Sequence, residues 1–254
     1  MKSLRTISDK LIEAASKLQQ SLAELDYTSV AEWVYDPFEY AWEPYCEYLT
    51  RYSQSPIKRI FMGMNPGPWG MAQTGVPFGE VAAVRDWLKI ASTTRKPQRE
   101  HPKRLVEGHR CKRSEVSGQR MWGLFQARFK TPKAFFAEHF VINYCPLAFM
   151  DAGARNLTPD KFPSSIREPL EKACDRHLIA VLETLRPECF IGVGAFAEEC
   201  GKRCISRLDS KIQPKLMRIL HPSPASPAAN RDWAGQVTNA LIVADVWKEK
   251  PTRS

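Results

Sequence analysis

Four side chains in this 254-residue chain stand where chemistry could be done: Asn65, Phe78, Asn143 and His221. Asn65 lies in the Gly- and Pro-rich stretch 63–80, GMNPGPWGMAQTGVPFGE, whose only ionisable side chain is Glu80 at its end. That composition builds a rigid loop rather than a helix or strand. It must act through backbone amides, an amide side chain and an aromatic face. It lacks GxGxxG and the Lys-Ser/Thr of a phosphate loop, and its prolines remove amide donors that a phosphate would need. Asn143 offers one acceptor and one donor pair in a plane. This array complements the N3–H and 4-oxo edge of uracil or thymine and mismatches cytosine, whose amine would meet the amide NH2. Phe78, between Pro77 and Gly79, suits either a core position or a platform on which a base stacks. His221 opens an 11-residue segment, 222–232, with three Pro and no large apolar side chain. A stiff loop of this kind is either an ordinary connection or an element that enters a duplex, and a neutral imidazole beside it can donate a hydrogen bond.

These residues need elements that bring them together. Apolar runs at 58–64, 140–143, 189–193 and 216–220 read as buried strands. Helical patterns occupy 84–91, 118–129, 132–138, 167–185, 195–204 and 233–247. Strands alternating with helices predict an α/β three-layer sandwich: a mainly parallel, four-stranded central sheet flanked by helices. Asn65, Asn143, Gly194 and His221 each follow or end one strand. Parallel strands present their carboxyl ends on one edge, so the four segments converge on one crevice. The chain reads as a single domain over 1–254, with residues 1–52 as an N-terminal helical extension packed on it.

Composition narrows the class. The chain is 43% hydrophobic and 26% charged, as in ordinary globular proteins. It has no apolar run long enough to span a bilayer, and its N-terminus lacks the apolar core of a secretory signal, so no membrane role and no export are expected. The seven Cys lack a Cys-x-x-Cys pair and read as free, buried thiols; no metal and no cofactor are expected. The net charge of +9 is concentrated: residues 85–133 hold 14 Lys/Arg against 4 Asp/Glu. A surface so polarised attracts a polyanion, because each neutralised phosphate releases counterions. Residues 95–117 show no period and read as a long basic loop.

Together these segments resemble the single-strand-selective monofunctional branch of the uracil-DNA glycosylase superfamily. The resemblance rests on the 63–80 loop and on YDPFEYAWEP (35–44), VRDWL (84–88), SEVSGQRMWGLF (114–125), NYCPL (143–147) and HPSPASPAANRDW (221–233). It implies an α/β repair enzyme that removes uracil, and uracils with small oxidised 5-substituents such as 5-hydroxymethyluracil, from single- and double-stranded DNA. By motif, Asn65 resembles the water-positioning residue and His221 the residue that stabilises the departing base. Phe78 resembles the stacking ring, Asn143 the residue that reads the uracil edge, and Met64 and Gly67 backbone positions lining the pocket. Pro222, Ser223, Pro224, Ala225, Ser226 and Arg231 fall in the DNA-entering segment. Two departures stand out: Trp69 occupies a usual Phe position, and Ala225 occupies the place where animal members carry an Arg that fills the hole left by the flipped nucleotide. Ala228 likewise replaces a usual Gln, and Arg231 is the residue left to substitute. The resemblance implies a monomer, cytoplasmic in a bacterium and nuclear in a eukaryote. Two alternatives remain: a glycosylase of shifted scope acting on hypoxanthine or xanthine, and a non-catalytic binder of damaged or abasic DNA.

Overall fold

The computed structural model describes residues 5–249; the two ends of the 1–254 span read above as one domain lie outside them. In chain order the elements are α1 (Ile7–Ala23), β1 (Trp33–Tyr35), α2 (Pro37–Tyr40), α3 (Trp42–Tyr52), β2 (Arg59–Gly63), α4 (Met71–Thr74), α5 (Val116–Phe129), α6 (Pro132–Phe136), β3 (His139–Asn143), β4 (Ala148–Met150), β5 (Asn156–Leu157), α7 (Ser164–Leu185), β6 (Cys189–Val193), α8 (Ala195–Ile205), β7 (Lys215–Ile219) and α9 (Ala229–Val243). The main sheet has the order β3-β2-β6-β7, and every pairing in it is parallel. Helices cover both faces of such a sheet, so its inner strands are apolar throughout rather than alternating. Every residue of β6 is buried. The edge strand β7 instead exposes Lys215 and Arg218, charges that discourage pairing with another chain.

The four strands are those expected from sequence, to within a residue or two at each end. The helices near 118–129, 167–185 and 195–204 are also present, as α5, α7 and α8. The helical pattern at 84–91 is present only in its first half, as a short π-helix, Ala83–Trp87, closed by Leu88 N–H donating to Ala83 O at 2.9 Å. Lys89 then takes left-handed backbone (φ 55°), which stops any continuation. The last helix begins at Ala229 but breaks at Asp232, whose extended backbone and carboxylate cap the Gly235 N–H at 2.9 Å; it restarts at Trp233 and ends at Val243, short of 247.

A second, small antiparallel sheet, β1-β4-β5, has no counterpart in the sequence reading. It ties the first fifty residues to the body of the protein, since Trp33–Tyr35 pairs with Ala148–Met150. Helix α1 is anchored too. A reciprocal Thr6–Asp9 cap starts it, and Leu11, Ala15, Leu18 and Leu22 form one stripe buried in the same core as the main sheet. Among the described residues no helix is long and apolar enough to cross a membrane. The seven Cys are free thiols, six of them buried, and among the described residues no group of three potential ligands is arranged to hold a metal ion.

Candidate active site

The register of the sheet places the polar strand ends side by side. Gly63 and Asn143 are Cα partners at the ends of β2 and β3, and Val193 and Ile219 are partners at the ends of β6 and β7. With strands ~4.8 Å apart, the outer ends that carry Asn143 and His221 stand about 14 Å from each other. The first loop leaves β2 between them. Its start is pinned by two bonds that prolong the parallel pairing: Tyr144 N–H donates to Gly63 O and Cys145 N–H to Met64 O, both at 2.9 Å.

At the β2–β3 end Phe78 and Asn143, both named from the sequence, meet over Gly63. A Cβ added to Gly63 would lie 2.4 Å from Phe78 Cζ, 2.6 Å from Phe78 Cε2 and 2.8 Å from Asn143 Oδ1. The missing side chain is the space in which the ring and the amide come together. Phe78 is buried and holds a left-handed backbone (φ 53°), an uncommon state for a bulky residue, so the loop forces its ring inward. Asn143 Nδ2 donates only to the thioether of Met71, at 3.3 Å, a weak acceptor that a carbonyl oxygen would displace.

Asn65 sits half-buried at the start of the loop, and its Nδ2 donates to Leu147 O at 3.2 Å and, at 3.5 Å, to Pro66 O. With the amide nitrogen so held, Oδ1 is the end left to accept a hydrogen bond. His221 lies across the sheet. A Cβ on Gly194 would come within 3.3–3.6 Å of its Cβ, Cδ2 and Cγ atoms, so the end of β6 packs on the imidazole. Ser223 N–H donates to His221 Nδ1 at 3.1 Å. Nδ1 is therefore the acceptor, and the single proton of the neutral ring is on Nε2. Burial lowers the His221 pKa below its ordinary value, which keeps that neutral tautomer at physiological pH.

The segment after His221 is held in place. From α5, Arg120 donates to Pro222 O (2.9 Å) and to Asn230 Oδ1 (2.8 Å), and Asn230 Nδ2 donates to Pro224 O (2.8 Å). Trp233 Nε1 donates to Leu220 O at 2.7 Å. Pro224 and Ala225 are exposed, Ser223 and Ser226 half-exposed, and Arg231 lines a shallow groove with Arg120 and Asn230. Sequence reasoning missed Arg120 and Asn230, although both lie inside quoted motifs.

The basic segment is a loop, as expected, but a fixed one. The buried side chain of Gln73 donates to Pro68 O and Leu105 O (both 3.0 Å) and accepts from Glu107 N–H (2.8 Å). Arg104 and Arg113 place their guanidinium groups 5.0 and 5.2 Å from the Trp69 ring centre. The basic stretch thus borders the first loop, with Lys103, Lys112 and Arg113 exposed. Larger grooves lie elsewhere, one of about 670 Å³ lined by residues including Tyr52, Trp87 and Phe136, but none of the strand-end residues lines it.

Strand ends at the carboxyl edge of a parallel sheet that carry two amides, a phenyl ring and a neutral imidazole suit an enzyme acting on a planar heterocycle. Residues 51–242 match the family model of the Uracil DNA glycosylase superfamily, and the chain belongs to that family. It is 44% identical over 229 residues to the single-strand selective monofunctional uracil-DNA glycosylase of Rattus norvegicus, covering 90% of this chain and 82% of the relative. The same identity holds over 255 residues with the enzyme of that name from Mus musculus, covering 98% and 91%. The crystal structure of wild-type Pedobacter heparinus SMUG2 superposes with a TM-score of 0.61 at 16% identity, over 95% of this chain and 98% of that one, a likeness of fold.

Proposed function

We propose that this protein is a monofunctional uracil-DNA glycosylase that, as a monomer, flips uracil out of single- or double-stranded DNA and hydrolyses its N-glycosidic bond, opening base excision repair. The reading includes uracils with small oxidised 5-substituents, such as 5-hydroxymethyluracil. The observation that carries it is the meeting of Gly63, Phe78 and Asn143 at one strand end, across the sheet from a His221 fixed as an Nε2–H donor.

The base leaves the stack at a cost of about a few kcal/mol, least where it is unpaired. Phe78 takes one face of the ring, and Asn143 takes its edge, Oδ1 to N3–H and Nδ2 to the 4-oxo group. As the C1′–N1 bond breaks, its electron pair passes to N1 and spreads over the uracil oxygens, leaving an oxocarbenium-like sugar. His221 Nε2–H and first-loop amides donate to that growing charge. Asn65 Oδ1 accepts from a water below C1′ and aims it. The water oxygen bonds to C1′, and its proton is lost to solvent or a phosphate oxygen, because an amide cannot take it. The reaction therefore leans on leaving-group stabilisation, and its chemical step is slower than in a relative bearing Asp in this loop. The catalytic segments offer no Lys for a Schiff base, so the strand stays intact. With Ala225 in the wedge place, already unpaired uracil is the easier substrate.

The test uses end-labelled oligonucleotides carrying uracil, 5-hydroxymethyluracil, hypoxanthine or xanthine. Cleavage should appear at the two uracils, and only after alkali. Purine release alone would shift the scope, and no release from any would leave a lesion binder. Asn65→Ala should retain DNA binding and lose roughly a hundredfold or more in single-turnover rate.

A further inference from the structure

Helix α5 begins beside the first loop, and its N-cap residue, Glu115, makes no side-chain cap bond to its own helix. The carboxyl turns to the loop instead. A Cβ on Gly70 would lie 1.9 Å from Oε2, and one on Gly67 would lie 3.2 Å from Oε2 and 3.6 Å from Oε1. Oε2 is closed off from solvent and has no hydrogen-bond partner. Burial, with a smaller contribution from the charge of Glu80, pushes the Glu115 pKa up to about 7. Glu80 itself is occupied, its Oε2 accepting from Ala83 N–H at 2.9 Å. A buried polar group without a partner is costly, and neither a cap nor an ion pair accounts for this one.

Its place relative to the base follows from Asn143. Oδ1 lies toward Gly63 and Nδ2 toward Met71. A uracil whose N3–H meets Oδ1 sets its 4-oxo group at Nδ2, beside Met71. The next ring atom is C5. From Met71 the chain runs back through Gly70 to Gly67, the stretch against which the carboxyl of Glu115 is packed. We infer that Glu115 is a specificity-determining residue for the C5 substituent of the enclosed pyrimidine: it hydrogen-bonds a hydroxyl or oxo group there and opposes a methyl group. The inference rests on the glycosylase reading above. A hydroxymethyl group suits both forms of the carboxyl, accepting from the acid and donating to the carboxylate. A methyl group would cover Oε1, the carboxyl oxygen not already closed off, and give it no bond, which penalises thymine.

The test compares kcat/KM for uracil, 5-hydroxymethyluracil and thymine in one single-stranded sequence, for the wild type, Glu115→Met and Glu115→Gln, with melting temperatures to verify folding. Met keeps length and removes hydrogen bonding; Gln keeps both donor and acceptor. The 5-hydroxymethyluracil-to-uracil ratio should fall roughly tenfold or more in Glu115→Met, the loss of one hydrogen bond to a carboxyl group, and stay within about threefold in Glu115→Gln. The thymine-to-uracil ratio should rise in Glu115→Met. If Glu115→Met does not fold, Glu115→Ala is read in the same way. A wild-type ratio in the apolar variant, with the wild type active on both uracils, overturns the inference and leaves the glycosylase reading standing. A wild type that releases uracil but not 5-hydroxymethyluracil overturns the substrate scope and this inference with it.

Discussion

Gly63→Ala adds one methyl group and removes no polar atom, so it tests the site through geometry alone. The new Cβ would lie 2.4 Å from Phe78 Cζ and 2.8 Å from Asn143 Oδ1. Carbon contacts settle near 3.5–4.0 Å, so the ring must retreat by about 1 Å and the amide by somewhat less. Overpacking of this kind costs ~1–3 kcal/mol, a fall of several degrees in melting temperature for a chain of this size. A 1 Å misplacement of groups that hold a substrate costs about a hundredfold in rate. The assay is single-turnover release of uracil from a single-stranded oligonucleotide, with enzyme in excess, read after alkali. The expected result is a rate about a hundredfold lower in a protein that still folds and still binds DNA through its basic segment. A rate within about threefold of wild type, together with the lowered melting temperature, would refute the reasoning: the ring and amide would have moved without consequence.

Three other expectations follow from the same geometry. Asn143→Asp loses the NH2 that now meets Met71 Sδ, so uracil release should fall and selectivity against cytosine should weaken; rates on the two bases in matched strands decide it. Lys112→Ala with Arg113→Ala should weaken DNA binding and reduce the slope of log affinity against log salt by roughly one to two, measured by titration at several salt concentrations; an unchanged slope returns the segment to a bystander. Burial lowers the His139 pKa to about 3 and the His177 pKa to about 4, so the folded protein keeps both neutral while the unfolded chain takes up protons below about 6.5. Stability should therefore hold above that pH and fall as pH drops from about 6.5 toward 4, by up to about 1.4 kcal/mol per histidine per pH unit; denaturant midpoints along that range measure it.

The sheet and its polar edge were legible because four apolar runs each ended in Gly, Asn or His, and buried parallel strands carry that pattern plainly. The small sheet was not legible. β5 has two residues and β1 three, too few to show alternation, and β1 finds its partner more than a hundred residues away. Residues 1–52 looked like an appendage because amphipathic periodicity says that a helix packs, not what it packs on. Glu115 was read as part of a basic loop; only the approach of its carboxyl to Gly67 and Gly70 sets it apart, and that approach joins segments nearly fifty residues apart. Arg120 was hidden for the same reason, since a charged residue on a helix gives no sign of what it reaches.

The grip of Arg120 and Asn230 on the segment after His221 has an evolutionary consequence. Apart from the bond they share, both side chains hold main-chain carbonyls, those of Pro222 and Pro224. Ser223 Oγ adds a bond by accepting from Ala225 N–H at 3.2 Å, and the path of the segment is thereby specified without reference to the side chains at 225 and 226. Those positions can be exchanged, Arg for Ala included, while the backbone that carries them keeps its course. On the proposed function, in which this segment enters DNA, its side chains can change without rebuilding the strand ends that carry Asn65 and His221.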